Sequence, residues 1–194
     1  MKQIYKGAIM GTDINGYIEF RTQNPIESWN AAINIGSLAE RYYNLFGYLF
    51  GVRGHGDKFL PVAAGRGIPP HVAEEISLVF YSFGGENPTW IDWREFRDAI
   101  IAGYSIHVYQ KDNNGQLRAI EKQFSLAKPD YFTTSEQEQL TQGLDVKKDD
   151  YIYRYENDGP LPLGPGWQLI VELGDLLAQR YGEERVRLVV WFSS

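Results

Sequence analysis

Val186-Arg187-Leu188-Val189-Val190-Trp191-Phe192, close to the C-terminus, is the run on which the fold turns. Val186, Leu188, Val190 and Phe192 alternate as one face of a strand, while the interleaved Val189 and Trp191 make its other face apolar too. A strand that is apolar on both sides belongs in the centre of a sheet or under a helix. Working outward, Ile4 to Thr12 and Tyr17 to Arg21 flank Asn15-Gly16, a type I′ turn signal, and predict a hairpin. Trp29, Ala31, Ile33 and Ile35 alternate as a further strand. Asn114-Gly115 predicts a second hairpin joining Tyr104–Gln110 to Gln116–Phe124.

Helix signals alternate irregularly with these strands. Ser37-x-x-Glu40 reads as a capping box before Leu38, Tyr42, Leu45 and Leu49, with Gly51 as the stop. Pro69-Pro70 opens a second helix that carries Val72, Ile76, Val79, Phe80 and Phe83 and ends at Gly84-Gly85. A third starts at Asp92-x-x-Glu95, buries Trp93, Phe96 and Ile100, and stops at Gly103. Leu169, Leu173, Leu176 and Leu177 line a fourth that ends at Gly182, and Ser135-x-x-Glu138 marks a short fifth. Without a regular βαβ rhythm the expectation is α+β: a mainly antiparallel sheet packed with about four helices in a single domain, 1–194. Tyr151, Tyr153 and Tyr155 alternate before the proline-glycine stretch Gly159–Gly166, which predicts an extended arm near 145–166 that packs on a second copy of the chain.

Composition narrows function. With 19 basic against 25 acidic residues the chain carries a net charge of −6, which disfavours bulk nucleic-acid binding. The absence of cysteine removes thiol catalysis and Cys-ligated zinc, and no apolar run is long enough to span a membrane. Met1 to Lys6 contains no signal-peptide hydrophobic region, so the expected location is cytoplasmic.

The unusual feature is the glycine-rich loop Gly51-Val52-Arg53-Gly54-His55-Gly56-Asp57-Lys58, which continues to Gly65-Arg66-Gly67-Ile68-Pro69-Pro70. Glycines admit close backbone approach and arginines offer a planar fork for phosphate. Arg53 and Arg66 are therefore the expected phosphate clamps, beside Gly54, Gly65 and Gly67, with Tyr43 or Tyr48 stacking a base. The alternative is a long connection pinned on the core by Phe59, Leu60 and Val62. No Walker A or GxGxxG spacing is present. Catalytic signals are thin. His55, His71 and His107 show no metal-ligand spacing; Asp92, Glu95 and Asp98 read as the solvated face of a helix; Asp13 and Glu19, or His55, are the acid–base options. No catalytic residue, metal or cofactor is assigned.

From Tyr43-Asn44-Leu45-Phe46-Gly47-Tyr48-Leu49-Phe50-Gly51-Val52-Arg53, through Phe59–Ala63 and Arg66–Pro69 to Asn87–Ile91, the chain resembles a family of uncharacterised bacterial and phage proteins. The resemblance covers mostly residues 10–100 and supplies no catalytic residues. Compact phage proteins of this kind include immune-evasion sponges that sequester nucleotide signals, and in a phage setting the location would be the bacterial host cytoplasm. The expected function is accordingly a non-catalytic, homo-oligomeric binder of a small anionic, cyclic nucleotide. An enzyme that cleaves such a nucleotide and a protein-interaction module are the alternatives.

Overall fold

The computed structural model describes residues 11–22, 28–53, 58–120 and 131–193. The strands are β1 (Asp13–Phe20), β2 (Asn30–Asn34), β3 (Glu86–Asp92), β4 (Tyr104–Lys111), β5 (Leu117–Ile120), β6 (Val146–Lys148), β7 (Tyr151–Asn157) and β8 (Val186–Ser193). The helices are α1 (Tyr43–Phe50), α2 (Glu74–Phe83), α3 (Trp93–Ala102), α4 (Thr134–Thr141) and α5 (Pro165–Tyr181), and a 3-10 turn, Glu183–Arg185, leads into β8. They form an α+β fold with two antiparallel four-stranded sheets, ordered β2-β1-β8-β3 and β5-β4-β7-β6.

β8 is central in the first sheet and buried on both faces, as its alternation requires. Val186, Leu188, Val190 and Phe192 join the main core with Phe46 of α1, Trp93 and Phe96 of α3, and Trp167 of α5. Val189 and Trp191 face the other way, into a layer closed by Ala73, Ile76 and Trp90. Arg187 also lies in that second layer. It pairs with Glu19 across the strands and sits 3.7 Å from the Trp29 ring centroid, while Glu19 also accepts from the Ala73 N–H at 3.0 Å. Burial raises the Glu19 pKa and lowers that of Arg187.

Several expectations are corrected. β1 runs straight through Asn15-Gly16, so no hairpin turns there; residues 1–10 of its expected first strand lie outside the described residues. Gly16 is needed for close approach instead, since a Cβ there would lie 2.2 Å from the Val189 carbonyl oxygen. The Ser37–Glu40 box does not form, and α1 begins only at Tyr43. The Glu40 carboxylate instead accepts from the Gly166 N–H at 2.8 Å and the Trp167 N–H at 3.3 Å, which caps α5 from a distant segment. α2 starts at Glu74 rather than at Pro69-Pro70, and the box that opens α4 is Thr133 with Glu136, two residues before the expected pair. In α5 the buried face is Trp167, Ile170, Val171, Gly174 and Ala178, and Leu169 and Leu176 are exposed.

No arm protrudes at 145–166. β6 and β7 are strands of the second sheet, and Tyr153 packs in that sheet's own core with Ile106, Val108, Phe132, Leu140 and Val146. The chain after β7 is tied down by bonds from the Asp158, Gly159 and Leu161 N–H groups to the Gly103, Ala102 and Ile100 carbonyls. The prolines deny this stretch regular structure, but its remaining donors find the last turn of α3. The Asn114-Gly115 hairpin forms between β4 and β5, with Gly115 in the left-handed region at φ 77°; residues 121–124 of its expected second strand lie outside the described residues. No helix among the described residues is long and apolar enough to cross a membrane.

Candidate functional site

The residues expected to clamp a nucleotide separate into two places. Arg66 forms a bidentate pair with Glu95 of α3, its Nη1 and Nη2 donating at 2.7 and 2.6 Å. It also donates to the Val62 carbonyl at 2.9 Å and lies 5.5 Å from the Trp90 ring centroid. Its fork is thus committed to internal partners, and the Glu95 carboxylate raises its pKa further. Gly65 and Gly67 bracket it in left-handed conformation, stitched to β3 by the Gly67 N–H to the Pro88 carbonyl. Tyr48 is buried: its hydroxyl donates to the Ala99 carbonyl at 3.1 Å and accepts from the Tyr104 N–H at 3.3 Å. No base can stack on a ring enclosed in this way.

Arg53 and Tyr43 meet at the other end of the first sheet through Thr12. Arg53 Nε donates to Thr12 Oγ1 at 2.7 Å, and the Thr12 N–H donates to the Tyr43 hydroxyl at 3.3 Å. Gly54 and His55 lie outside the described residues. Of the acid–base options, Asp13 is bound by Arg41 and Glu19 by Arg187. Six strand residues, roughly 20 Å, separate the two carboxylates, so they cannot act as one pair.

A cleft of about 570 Å³ opens where the two sheets meet. Its floor is formed by Val62, Ala102, Tyr104 and Tyr155, with the buried Tyr48 and Ala99 behind them. The Tyr104 and Tyr155 rings stack with centroids 5.0 Å apart, and the Tyr155 hydroxyl donates to the Leu60 carbonyl at 3.4 Å. Burial, reinforced by Tyr48 and Tyr104, pushes the Tyr155 hydroxyl well above the usual range.

The rim carries charge of one dominant sign. Asp92, Glu95 and Asp98 come from α3 and its first flank, Glu183 and Glu184 from the turn before β8, and Arg94 is the single cation among these lining residues. Arg66 neutralises Glu95 from behind, and Arg94 Nε holds Glu183 Oε2 at 2.9 Å across the rim. Among the described residues Asp92 and Asp98 have no cationic side chain within 4.0 Å. An aromatic, apolar floor under a carboxylate rim favours a flat body with a positive group.

The acidic i, i+3, i+6 spacing of α3 was readable as a charged face, but nothing local says that it overlooks a cavity. Tyr104 and Tyr155 reach the cleft only because β4 pairs with β7, a contact between distant segments. Comparison of the chain with protein-family models, curated proteins and solved structures returns no match.

Proposed function

We propose that the protein is a small-ligand binder whose cleft between the sheets takes an organic cation with a flat apolar body. The observation that carries this reading is the cleft's lining, in which Asp92 and Asp98 have no cationic side chain within 4.0 Å among the described residues and stand above a tyrosine floor. A cation entering there meets the field of Asp92 and Asp98, Glu184 being paired with Arg185 at 3.6 Å, while its body covers Tyr104 and Tyr155. The reading contains binding and no chemical step, and it keeps the sequestering role expected from the sequence while reversing the sign of the ligand's charge. A polyanionic nucleotide in the same cleft would face carboxylates on most sides, and the arginine expected to receive it already holds Glu95.

The test is calorimetric titration with benzamidine, 2-phenylethylamine and the neutral benzamide, together with a panel of cyclic dinucleotides. The expected result is binding of the two cations, weakened by added salt and by Asp98→Asn, with benzamide weaker than benzamidine. Equal binding of benzamide and benzamidine, or no binding of either cation, overturns the reading. Cyclic-dinucleotide binding that is lost with Arg53→Ala would instead favour the nucleotide function.

A further inference from the structure

A hollow of about 210 Å³ lies at the far end of the first sheet, lined by Thr12, Arg53, Glu86, Asn87 and Phe192 among others. It does not communicate with the cleft: β3 starts in the hollow, at Glu86 and Asn87, and ends at the cleft with Asp92. The backbone around it is unusual. Arg53 and Asn87 both sit in the left-handed region, at φ 53° and 50°, although neither is glycine. Asn87 falls in the register shift of β3 between Glu86 and Thr89, where the strand bulges away from β8. Non-glycine residues in that region are uncommon, and bulges re-aim side chains at strand ends. Here the two deviations bring an arginine and an amide to one concave spot.

Arg53 differs from the other arginines near the two sites. Arg41, Arg66 and Arg94 each hold a carboxylate within 3.0 Å. Arg53 is held through Nε by a neutral hydroxyl, Thr12 Oγ1, and Thr12 is itself buried. No carboxylate lies within 4.0 Å of Arg53 among the described residues. Its Nε bond uses one of five guanidinium donors and leaves the other four for a ligand. Arg53 is exposed, and a guanidinium with no carboxylate partner among the described residues, oriented at Nε in a polar hollow, is suited to a planar or tetrahedral oxyanion.

We infer that this hollow is a second binding site, for the carboxylate or phosphate group of a small ligand, with Arg53 as the residue that receives it. Asn87 adds an amide donor, and Phe192 closes the wall with an apolar face. Glu86 on the same lining sets the second requirement: a ligand carrying a donor next to its oxyanion satisfies both charges, whereas a bare dianion meets repulsion. The volume suits a molecule of amino-acid size and leaves no room for a whole dinucleotide.

The experiment is two-dimensional amide NMR of the intact protein with inorganic phosphate and, separately, with glycine, each up to tens of millimolar. The expected result is saturable shifts at Thr12, Arg53 and Asn87 for at least one probe, with affinity falling about tenfold to a hundredfold in Arg53→Gln. Arg53→Lys, which keeps the charge and loses the fork, recovers part of that loss; it also serves if Arg53→Gln fails to fold. Glu86→Gln separates the sources: affinity rises for bare phosphate and falls for zwitterionic glycine. Asp98→Asn, in the cleft, leaves these affinities unchanged, so failure here and failure of the cleft reading are distinguishable. Absence of saturable shifts with both probes, or binding unaltered in both Arg53 variants, overturns the proposal.

Discussion

Arg66→Ala measures what the arginine of the glycine loop does. The side chain gives two charge-assisted bonds to Glu95, at 2.7 and 2.6 Å, and one at 2.9 Å to the Val62 carbonyl. Such bonds contribute about 1.5–3 kcal/mol each when shielded. The Glu95 side chain is 36% exposed, so water and salt recover much of that for the variant. A net loss of about 2 kcal/mol remains, which for a chain of this length lowers Tm by roughly 4–8 °C. Differential scanning calorimetry of Arg66→Ala, Glu95→Ala and the double variant gives the measurement. Because the two residues share one interaction, the double variant should lose less than the sum of the singles. An arginine waiting in solvent for phosphate would change stability by no more than about 0.5 kcal/mol. A melting point for Arg66→Ala within a degree of the parent, or full additivity in the double variant, would refute the strut.

Three further outcomes follow from the packing and the caps. Gly174→Ala would place a Cβ 2.1 Å from the buried Trp93 ring; overpacking costs about 1–3 kcal/mol against a helix gain near 1, so the urea midpoint should fall. Glu40→Ala removes the acceptor for the first N–H groups of α5 and should lower Tm, Glu40→Gln should restore part of it, and Ser37→Ala should leave it unchanged. Bonds from Arg41, from the Thr133 N–H and from Arg154 hold Asp13, Glu136 and Asp145 below the ordinary carboxylate range. Their contribution is full above the unfolded values near 4 and is lost as pH falls through the lower folded ones, so Tm should decline from pH 5 to 3, less steeply in Glu136→Gln. Glu19, raised by burial, opposes that trend in part, and a Tm that rises on acidification would contradict the assignment.

The fold was legible where one rule acts along a short stretch. β8 announces its two buried faces, Asn114-Gly115 its turn, and Gly103 the end of α3, each through periodicity or a left-handed φ. Two of the errors share a cause, which is that a local signal was satisfied by a remote partner. Asn15-Gly16 has the residues of a turn, yet its glycine serves to let the β8 backbone approach. Ser37-x-x-Glu40 has a box's spacing, yet Glu40 caps a helix 126 residues away. The same holds for the candidate site. Arg66 carries a phosphate-ready fork in sequence, and only the pairing of its loop with α3 reveals the carboxylate that occupies it.

That both sites lie on the same two strands makes their independence a question of distance. β3 leads from Asn87 in the hollow to Asp92 at the cleft, five residues or about 17 Å of strand. β8 repeats the pattern in reverse, from Glu184 just before its start to Phe192 near its end. Two unit charges at that separation interact by roughly 0.25 kcal/mol in water, a factor of about 1.5 in affinity, and the Debye length near 10 Å reduces even this. Of the strands between, β8 is central, paired with β1 and β3 and buried on both faces, and the edge strand β3 is held to it in register from Thr89 to Asp92, which gives no second arrangement for one ligand to select. Saturating the cleft with benzamidine should therefore change the affinity of the hollow for phosphate or glycine by less than twofold, and by linkage the reverse titration should agree. A coupling of tenfold in both directions would show that β3 or β8 shifts between two registers on binding, and it would join the two hollows into one site.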